Sequence, residues 1–290
     1  MRGTSAKWKL IVAVFIFGTV GIFVRNIPMP SAVIAFWRGV IGALFLTAFM
    51  LLTGKKPSFA AIRKKLLPLC VSGAMIGFNW ILLFEAYRFT TVPVATLCYY
   101  LAPIIVVIVS PIVLKEQLTM KKLLCVLTAL LGMVFVSGVI RGGLPAPSEG
   151  KGILLGIGAA VLYGSIILVN QSLGDVPAYD KTIVQLLIAA ITVFPYCLLT
   201  GGFAAVTMEL KPVLLLIFVG IFNTGFAYTL YFGSMNRIPA QSVAIIGYID
   251  PVVAVLLSAL LLHETLDVYG IIGAVLILGA AFVSEMPSKR

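Results

Sequence analysis

Long apolar runs separated by short polar segments form the main pattern of this 290-residue chain. A helix needs about 20 predominantly apolar residues to cross the hydrocarbon core of a bilayer. The runs have that length, and few charges interrupt them. The pattern therefore predicts membrane-spanning helices at residues 9–24, 31–53, 66–87, 92–114, 122–140, 152–173, 182–200, 212–233, 238–262 and 267–284.

One apolar run occurs twice. The stretch from Leu97 to Leu118 returns 148 positions later, from Ile245 to Leu266. Each copy holds a proline near its start and a glutamate near its end. The matched residues are Tyr100 and Tyr248, Pro103 and Pro251, Val107 and Val255, Ser110 and Ser258, Glu116 and Glu264, and Leu118 and Leu266. Such a repeat indicates a duplicated unit.

The longest glycine- and proline-rich break runs from Arg141 to Gly150 and leaves five predicted spans on each side. It divides the chain into a first repeat at residues 1–141, a connecting loop at 142–150 and a second repeat at 151–290. With an odd number of spans per repeat, the second repeat enters the membrane from the opposite side. The predicted fold class is an all-α integral membrane protein, with ten transmembrane helices as two inverted five-helix repeats.

The composition indicates a lipid environment. Apolar residues make up 61% of the chain and charged residues 11%, whereas a soluble domain has about a quarter charged residues. The net charge of +11 does not indicate a nucleic-acid partner, because the basic residues lie between apolar runs and not on one soluble face. The four cysteines lie inside apolar runs, so we expect packing roles and no metal site. No cofactor is predicted.

Most of the 21 lysines and arginines fall on the N-terminal side of the membrane when the spans are followed in order. Short loops rich in these residues stay in the cytoplasm. Both termini are therefore predicted to be cytoplasmic, in a multi-pass protein of the plasma membrane. The first run resembles a signal peptide, but no small-residue cleavage site follows it cleanly. We expect it to be retained as a helix.

Short motifs follow one another across the two halves: Phe17-Gly18-Thr19, Phe36-Trp37-Arg38, Pro103 with Glu116, and Asp250-Pro251 with Glu264. Their order makes the chain resemble the EamA-type branch of the drug/metabolite transporter superfamily, over essentially its whole length. The resemblance implies two inverted five-helix repeats around a central cavity that carries small metabolites, usually outward. It also implies that the third, fourth, eighth and ninth spans form much of the cavity wall.

Pro103 and Pro251 lie inside predicted spans at matched positions of the two repeats. A proline removes one backbone hydrogen bond and displaces the carbonyl four residues back. In lipid the freed carbonyl needs a protein or water partner, so such breaks belong at the interior or at a cavity. The pair is predicted to mark the solute site; a plain kink that shapes packing is the alternative.

Two charged residues lie inside predicted spans and well away from their ends. Asp250 is about midway along the ninth span, where a carboxylate costs about 2.5–3.5 kcal/mol on insertion scales. It is a candidate proton-coupling or cation-binding group, or else a hydrogen-bonded link between helices, and it stands where family members often carry the longer glutamate. Arg38 lies in the second span and is either an anion contact or a structural arginine that bonds helix-end carbonyls or Glu85.

Four further charges lie near the membrane faces. Glu85 and Arg88 are one turn apart at the end of the third span and are expected to pair with each other. Glu116 and Glu264 follow Lys115 and His263 and terminate the two repeated spans. A gating role at the cavity mouths is the alternative for all four.

Polar-tipped aromatic and amide side chains suit a cavity that holds a small solute by apolar walls and few polar groups. The alternative places them at the headgroup level or between helices, but Asn79, Trp80, Tyr100 and Tyr248 lie too deep for such a belt. The candidate cavity residues are Asn79, Trp80, Tyr99, Tyr100, Asn223, Tyr228, Tyr248 and Arg38.

The pattern does not indicate an enzyme. His263-Glu264 lacks the second histidine of a zinc helix, and only one acid lies deep in the bilayer. We therefore predict a secondary transporter of small organic solutes, such as amino acids, with protons or the solute gradient as the driving force. A membrane channel or partner subunit without its own transport cycle is the alternative. The oligomeric state is not predicted.

Overall fold

The computed structural model describes residues 2–137, 139–142, 146–174, 176–206, 209–262 and 268–286, and these residues form an all-helical bundle. The long helical segments among them are numbered α1 to α10 in chain order. Their bounds are Arg2–Val24 (α1), Ser31–Leu52 (α2), Leu66–Phe89 (α3), Val92–Tyr99 with Ala102–Val113 (α4), Met120–Val136 (α5), Gly150–Gln171 (α6), Ala178–Leu199 (α7), Leu210–Phe218 with Val219–Phe226 and Ala227–Met235 (α8), Ala240–Gly247 with Ile249–Leu262 (α9), and Val268–Glu285 (α10).

Within the described ranges, nine of these helices are long and apolar enough to cross a membrane. The remaining one, α5, has 17 residues, which is the lower limit of the range of about 17–25 for a spanning helix. Large apolar side chains such as Leu52, Ile112 and Leu199 lie on the outside of the bundle. The predicted all-helical membrane fold is confirmed. The count of ten spans and the repeat boundaries stay predictions.

Prolines determine where several helices begin. The φ and ψ angles are −56° and 136° at Pro30, −55° and 144° at Pro177, and −53° and 143° at Pro239. The proline ring fixes φ, and the residue before it is kept out of the helical region. Each of these prolines therefore separates the preceding turn from the helix that follows, which is α2, α7 or α9.

Two helices are interrupted three residues before a proline. The break in α4 is at Tyr100, ahead of Pro103, and the break in α9 is at Tyr248, ahead of Pro251. Both breaks have the same cause, because proline donates no hydrogen bond and its ring displaces the carbonyl one turn back. Each half thus contributes one broken helix, and α4 packs directly on α9.

The middle of α8 is a π-helix, Val219–Phe226. Its wider turn is visible in a side-chain bond: the Thr224 hydroxyl donates to the carbonyl of Val219, five residues earlier, at 3.1 Å. π-Turns inside α-helices are frequent at functional sites. Here the π-helix faces α1 and α2.

The helices of the two halves interleave. α3 packs on α6 and α7, while α8 packs on α1 and α2; α4 packs on α6, while α9 packs on α1. The pairs α2 with α7, α4 with α9 and α5 with α10 join helices at equivalent places in the two halves. If each helix is exchanged for its equivalent in the other half, α1 for α6, α2 for α7 and so on, the same set of contacts results. This is expected for duplicates related by a two-fold axis.

Glycines at matched positions allow two of these contacts to be close. A Cβ on Gly77 of α3 would lie 2.7 Å from the Cβ of Thr192 in α7. A Cβ on Gly225 of α8 would lie 3.2 Å from the carbonyl oxygen of Gly42 in α2. Small residues are common where membrane helices approach closely. The α3–α7 and α8–α2 contacts therefore use the same device in both halves.

Candidate functional site

A cavity of about 350 Å³ lies between α1, α2, α3, α4, α6, α8 and α9. It is at the small end of the range of about 300–1,000 Å³ for ligand pockets. Residues from both halves form its wall, and Asp250 lies beside the break in α9. Among the residues singled out from the sequence, the ones that line the cavity are Arg38, Asn79, Trp80, Tyr99, Tyr100, Tyr228 and Asp250.

Arg38 reaches the cavity from α2. Its Nε donates a hydrogen bond of 3.0 Å to the hydroxyl of Thr224 in the π-helix, and its Cζ lies 5.9 Å from the centroid of the Trp80 ring. The hydroxyl of Thr224 in turn donates to its own helix. The Nε edge of the guanidinium is thus bonded to Thr224, and the group lies over the Trp80 ring. The other N–H groups of the guanidinium stay available for an anion.

Asp250 lies in the first turn of the second segment of α9. The Tyr100 hydroxyl donates to Asp250 Oδ2 at 3.2 Å. The Tyr248 hydroxyl donates to the carbonyl of Tyr100 at 2.7 Å, so a side chain from one broken helix satisfies a backbone group at the break in the other. Tyr248 is fully buried behind Tyr100, and the structure places it outside the cavity lining.

Aromatic rings form much of the wall. Tyr99 and Tyr163 stack with centroids 5.2 Å apart, and the hydroxyls of Tyr163 and Tyr231 are 2.9 Å apart. Phe17 contacts the edge of Tyr228 at 5.0 Å between centroids. Tyr231 is one of the polar-tipped aromatic residues of the predicted eighth span, whereas Phe17 and Tyr163 were not predicted as wall residues. The signal was present, because Phe17-Gly18-Thr19 and Tyr163-Gly164-Ser165 are echoes at corresponding places in the two halves.

The two predicted asparagines join helices. Asn79 Nδ2 donates to the Ala159 carbonyl at 2.7 Å, which links α3 to α6 at the cavity edge. Asn223 Nδ2 donates to the Ile16 carbonyl at 2.7 Å and to the Thr19 hydroxyl at 2.8 Å, which links α8 to α1. Asn223 does not line the cavity. Its donor bonds instead fix the π-helix against the first helix.

The cavity extends towards one end of the bundle. Among its lining residues, Gly21 is near the end of α1, Tyr87 near the end of α3 and Thr96 near the start of α4. These positions are at the end opposite to the start of α1. We name this the distal end, and the end that holds the start of α1 the N-terminal end.

Hydrogen bonds between the two halves close the N-terminal end. Glu116 accepts the N–H of Ala240 at 2.6 Å and that of Gln241 at 3.3 Å. The Gln241 side chain donates to the Ser110 hydroxyl at 2.9 Å. A carboxylate at the first free N–H groups of a helix is a favourable cap. Glu116, a candidate gate in the sequence, therefore holds the start of α9.

The other candidate gate residues lie at the distal end. Arg88 Nη1 is 2.8 Å from Glu85 Oε1, the expected pair, and the Arg88 side chain is exposed. Glu85 also accepts a hydrogen bond from the Tyr196 hydroxyl of α7, so the pair links α3 to α7. Glu264 lies outside the described residues.

Helices that face lipid surround a small cavity of mixed charge and aromatic character, which suits the passage of a small solute. These properties define a multi-pass membrane transporter. The model of the EamA-like transporter family matches the chain twice, over residues 5–138 and 150–286. The chain belongs to that family, and the resemblance seen in its motifs is confirmed.

Relatives cover nearly the whole chain. The uncharacterized transporter YxxF of Bacillus subtilis (strain 168) is 26% identical over 274 residues, which is 94% of this chain and 87% of the relative. An uncharacterized transporter of Archaeoglobus fulgidus is 24% identical over 276 residues, 95% of this chain and 94% of the relative. A crystal structure matches with a TM-score of 0.83 at 21% identity, over 97% of this chain and 96% of that one, which supports the fold alone.

Proposed function

We propose that the protein is a secondary transporter that moves small organic metabolites, such as amino acids or related solutes, out of the cell across the plasma membrane. The observation that carries the proposal is one cation, Arg38, and one acid, Asp250, on the wall of a single aromatic cavity. Both termini would be cytoplasmic, as the distribution of basic residues favours. The distal end would then face outward.

The chemistry of the wall favours a small solute that carries a carboxylate. A guanidinium binds a carboxylate through two parallel hydrogen bonds, and Arg38 has N–H groups left for this purpose. The tyrosine and tryptophan rings supply apolar surface and faces that attract an ammonium group. Asp250 adds a carboxyl group, negative or neutral, that complements the cation Arg38. An amino acid has all of these complementary features.

Alternating access would let the solute reach this cavity from either side. The cavity extends towards the distal end, while Glu116, Ser110 and Gln241 close the N-terminal end. Two duplicated halves with broken helices at the binding site are typical of carriers in which one repeat rocks against the other. In the second conformation, the N-terminal contacts would separate and the distal end would close.

Protons are the proposed coupling ions, with Asp250 as their site. A charged carboxylate at this depth is costly, so the protonated and charged forms of Asp250 favour different surroundings. Asp250 accepts a hydrogen bond from the Tyr100 hydroxyl. A change in the protonation of Asp250 would therefore affect the breaks in α4 and α9. Proton uptake on one side and release on the other would then accompany solute movement.

A thermal-shift screen of the detergent-purified full-length protein against a metabolite panel would identify the solute, because a ligand that binds only the folded protein raises its melting temperature. Proteoliposomes then give the decisive measurement. We expect saturable flux of that solute, with an apparent KM that rises about 10- to 100-fold in Arg38→Gln. Linear flux, or none for any panel member, would contradict the proposal and favour a channel or a partner subunit.

A further inference from the structure

A buried polar cluster lies at the closed N-terminal end, away from the cavity. It joins Ser72 of α3, Asn170 of α6 and Gln185 of α7, which are all fully buried. Gln185 Nε2 donates to the Ser72 hydroxyl at 2.7 Å and to Asn170 Oδ1 at 3.2 Å. Asn170 Nδ2 donates to the same hydroxyl at 3.0 Å. Three helices therefore meet through side-chain bonds at this end.

Lys181 lies one turn before Gln185 on the same face of α7 and is also fully buried. Within the described residues, its Nζ has no hydrogen-bond partner, and neither does Gln185 Oε1. The adjacent Asp180 is bonded elsewhere, because its carboxylate accepts the backbone N–H of Ser58 at 2.9 Å. A fully enclosed ammonium without an acceptor is a costly arrangement in a protein interior.

The place of this cluster in the duplicated fold matches that of Arg38. α2 follows Pro30 and α7 follows Pro177, with nearly the same backbone angles. Arg38 and Gln185 are each eight residues after their proline, and α2 packs on α7. Gln185 therefore occupies in the second half the position that Arg38 occupies in the first, with the lysine amine one turn away.

We propose that Lys181 and Gln185 form a second anion subsite, which binds the carboxylate of the solute when the protein opens at its N-terminal end. This inference rests on the proposed transport function. The lysine amine donates to the carboxylate, and Gln185 Oε1 accepts from any N–H group of the solute. The N-terminus of α7 adds its partial positive charge. Arg38 binds the carboxylate when the protein is open at the distal end, and Lys181 binds it when the protein is open at the N-terminal end.

Side-specific acylation of the wild-type protein tests the subsite without knowledge of the solute. Membrane vesicles are treated from one side with a membrane-impermeant amine-acylating reagent, and each lysine is followed by peptide mass spectrometry. We expect slow acylation of Lys181 from the N-terminal side, because the site is accessible only after opening. The exposed Lys56 at the same end and Lys211 at the distal end report which side was treated.

Acetate is the carboxylate probe, and neutral acetamide is its matched control. Acetate should slow the acylation of Lys181 in a saturable manner, by about threefold at twice its dissociation constant, while the rate at Lys56 stays constant. Acetamide should have no effect. No acylation of Lys181 from the N-terminal side, or acylation that acetate does not slow, would overturn the subsite. Absence of solute flux would instead contradict the proposed function, which this measurement does not use.

Discussion

The two ends of the bundle use polar groups in opposite ways. At the distal end, Arg38 is held by Thr224 and Trp80 and keeps donors free towards an open cavity. At the N-terminal end, Ser72, Asn170 and Gln185 bond to one another, and the buried Lys181 has no hydrogen-bond partner among the residues that the structure describes. The duplicated frame thus leaves guanidinium donors facing a cavity on one side and encloses its polar groups on the other.

The strongest test of the distal site is Asp250→Asn. The amide removes the titrating group but keeps an oxygen that can accept from the Tyr100 hydroxyl. We expect complete loss of the pH dependence of solute flux, with expression and melting temperature close to wild type. Tyr100→Phe, which keeps the carboxyl group, should retain a pH dependence. An unchanged pH profile in Asp250→Asn would return Asp250 to a packing role.

Arg38→Gln should have the next largest effect. Hydrogen bonds to charged groups contribute about 1.5–3 kcal/mol, so the apparent KM measured from the distal side should rise about 10- to 100-fold. Arg38→Lys keeps the charge but loses the two-pronged geometry and should give an intermediate value. An equal KM in all three proteins would show that Arg38 does not contact the solute.

Glu116→Gln tests what holds the N-terminal end closed. The variant weakens the acceptor of two N–H groups at the start of α9, and loss of a helix cap costs about 1 kcal/mol. We expect a lower melting temperature and faster acylation of Lys181. Glu209→Gln, at an exposed position before α8, is the control and should change neither. Slower acylation would contradict the sealing role.

Thr224→Val separates the position of Arg38 from its charge. The variant keeps the shape of the side chain and removes the acceptor of the Arg38 Nε bond. A bond of this kind contributes about 0.5–1.5 kcal/mol, so KM from the distal side should rise by about two- to tenfold at constant maximal flux. Thr224→Ser should restore the wild-type value. A KM that is the same in Thr224→Val would exclude this positioning role.

The smallest effect is expected at the distal surface. The Thr90 hydroxyl donates to Glu149, and this bond, with a second from the Ala146 N–H, lowers the pKa of the Glu149 carboxyl. Its stabilisation is therefore present above the ordinary glutamate pKa, and it is lost as the pH falls through the lowered value. The melting temperatures of wild type and Glu149→Gln should differ at neutral pH and converge in acid.

The sequence predicted the parts of this molecule that depend on local pattern. Spanning helices follow from apolar run length, and the breaks near Tyr100 and Tyr248 follow from Pro103 and Pro251. Arg38 and Asp250 were identifiable because charges inside a membrane span are costly. These features need no knowledge of which helices touch.

Features that depend on long-range contacts or on a change of one residue in register were not predictable. Hydropathy does not distinguish a π-helix from an α-helix, so the partnership of Thr224 with Arg38 was missed. Tyr248 appeared equivalent to Tyr100, yet only Tyr100 lines the cavity. The predicted seventh span began at 182, so Lys181 was counted as a loop charge, whereas α7 begins at Ala178.

The two broken helices occupy matching places in the two halves but make different hydrogen bonds with each other. The Tyr100 hydroxyl reaches the Asp250 carboxylate, whereas the hydroxyl of its counterpart, Tyr248, reaches the Tyr100 carbonyl. A symmetric pair of identical five-helix subunits would make the same contact twice. It could not provide one tyrosine–carboxylate bond and one tyrosine–carbonyl bond. Because each tyrosine bonds a different partner atom, the two halves are not interchangeable at this contact, and we expect neither half alone to rebuild this pair of bonds.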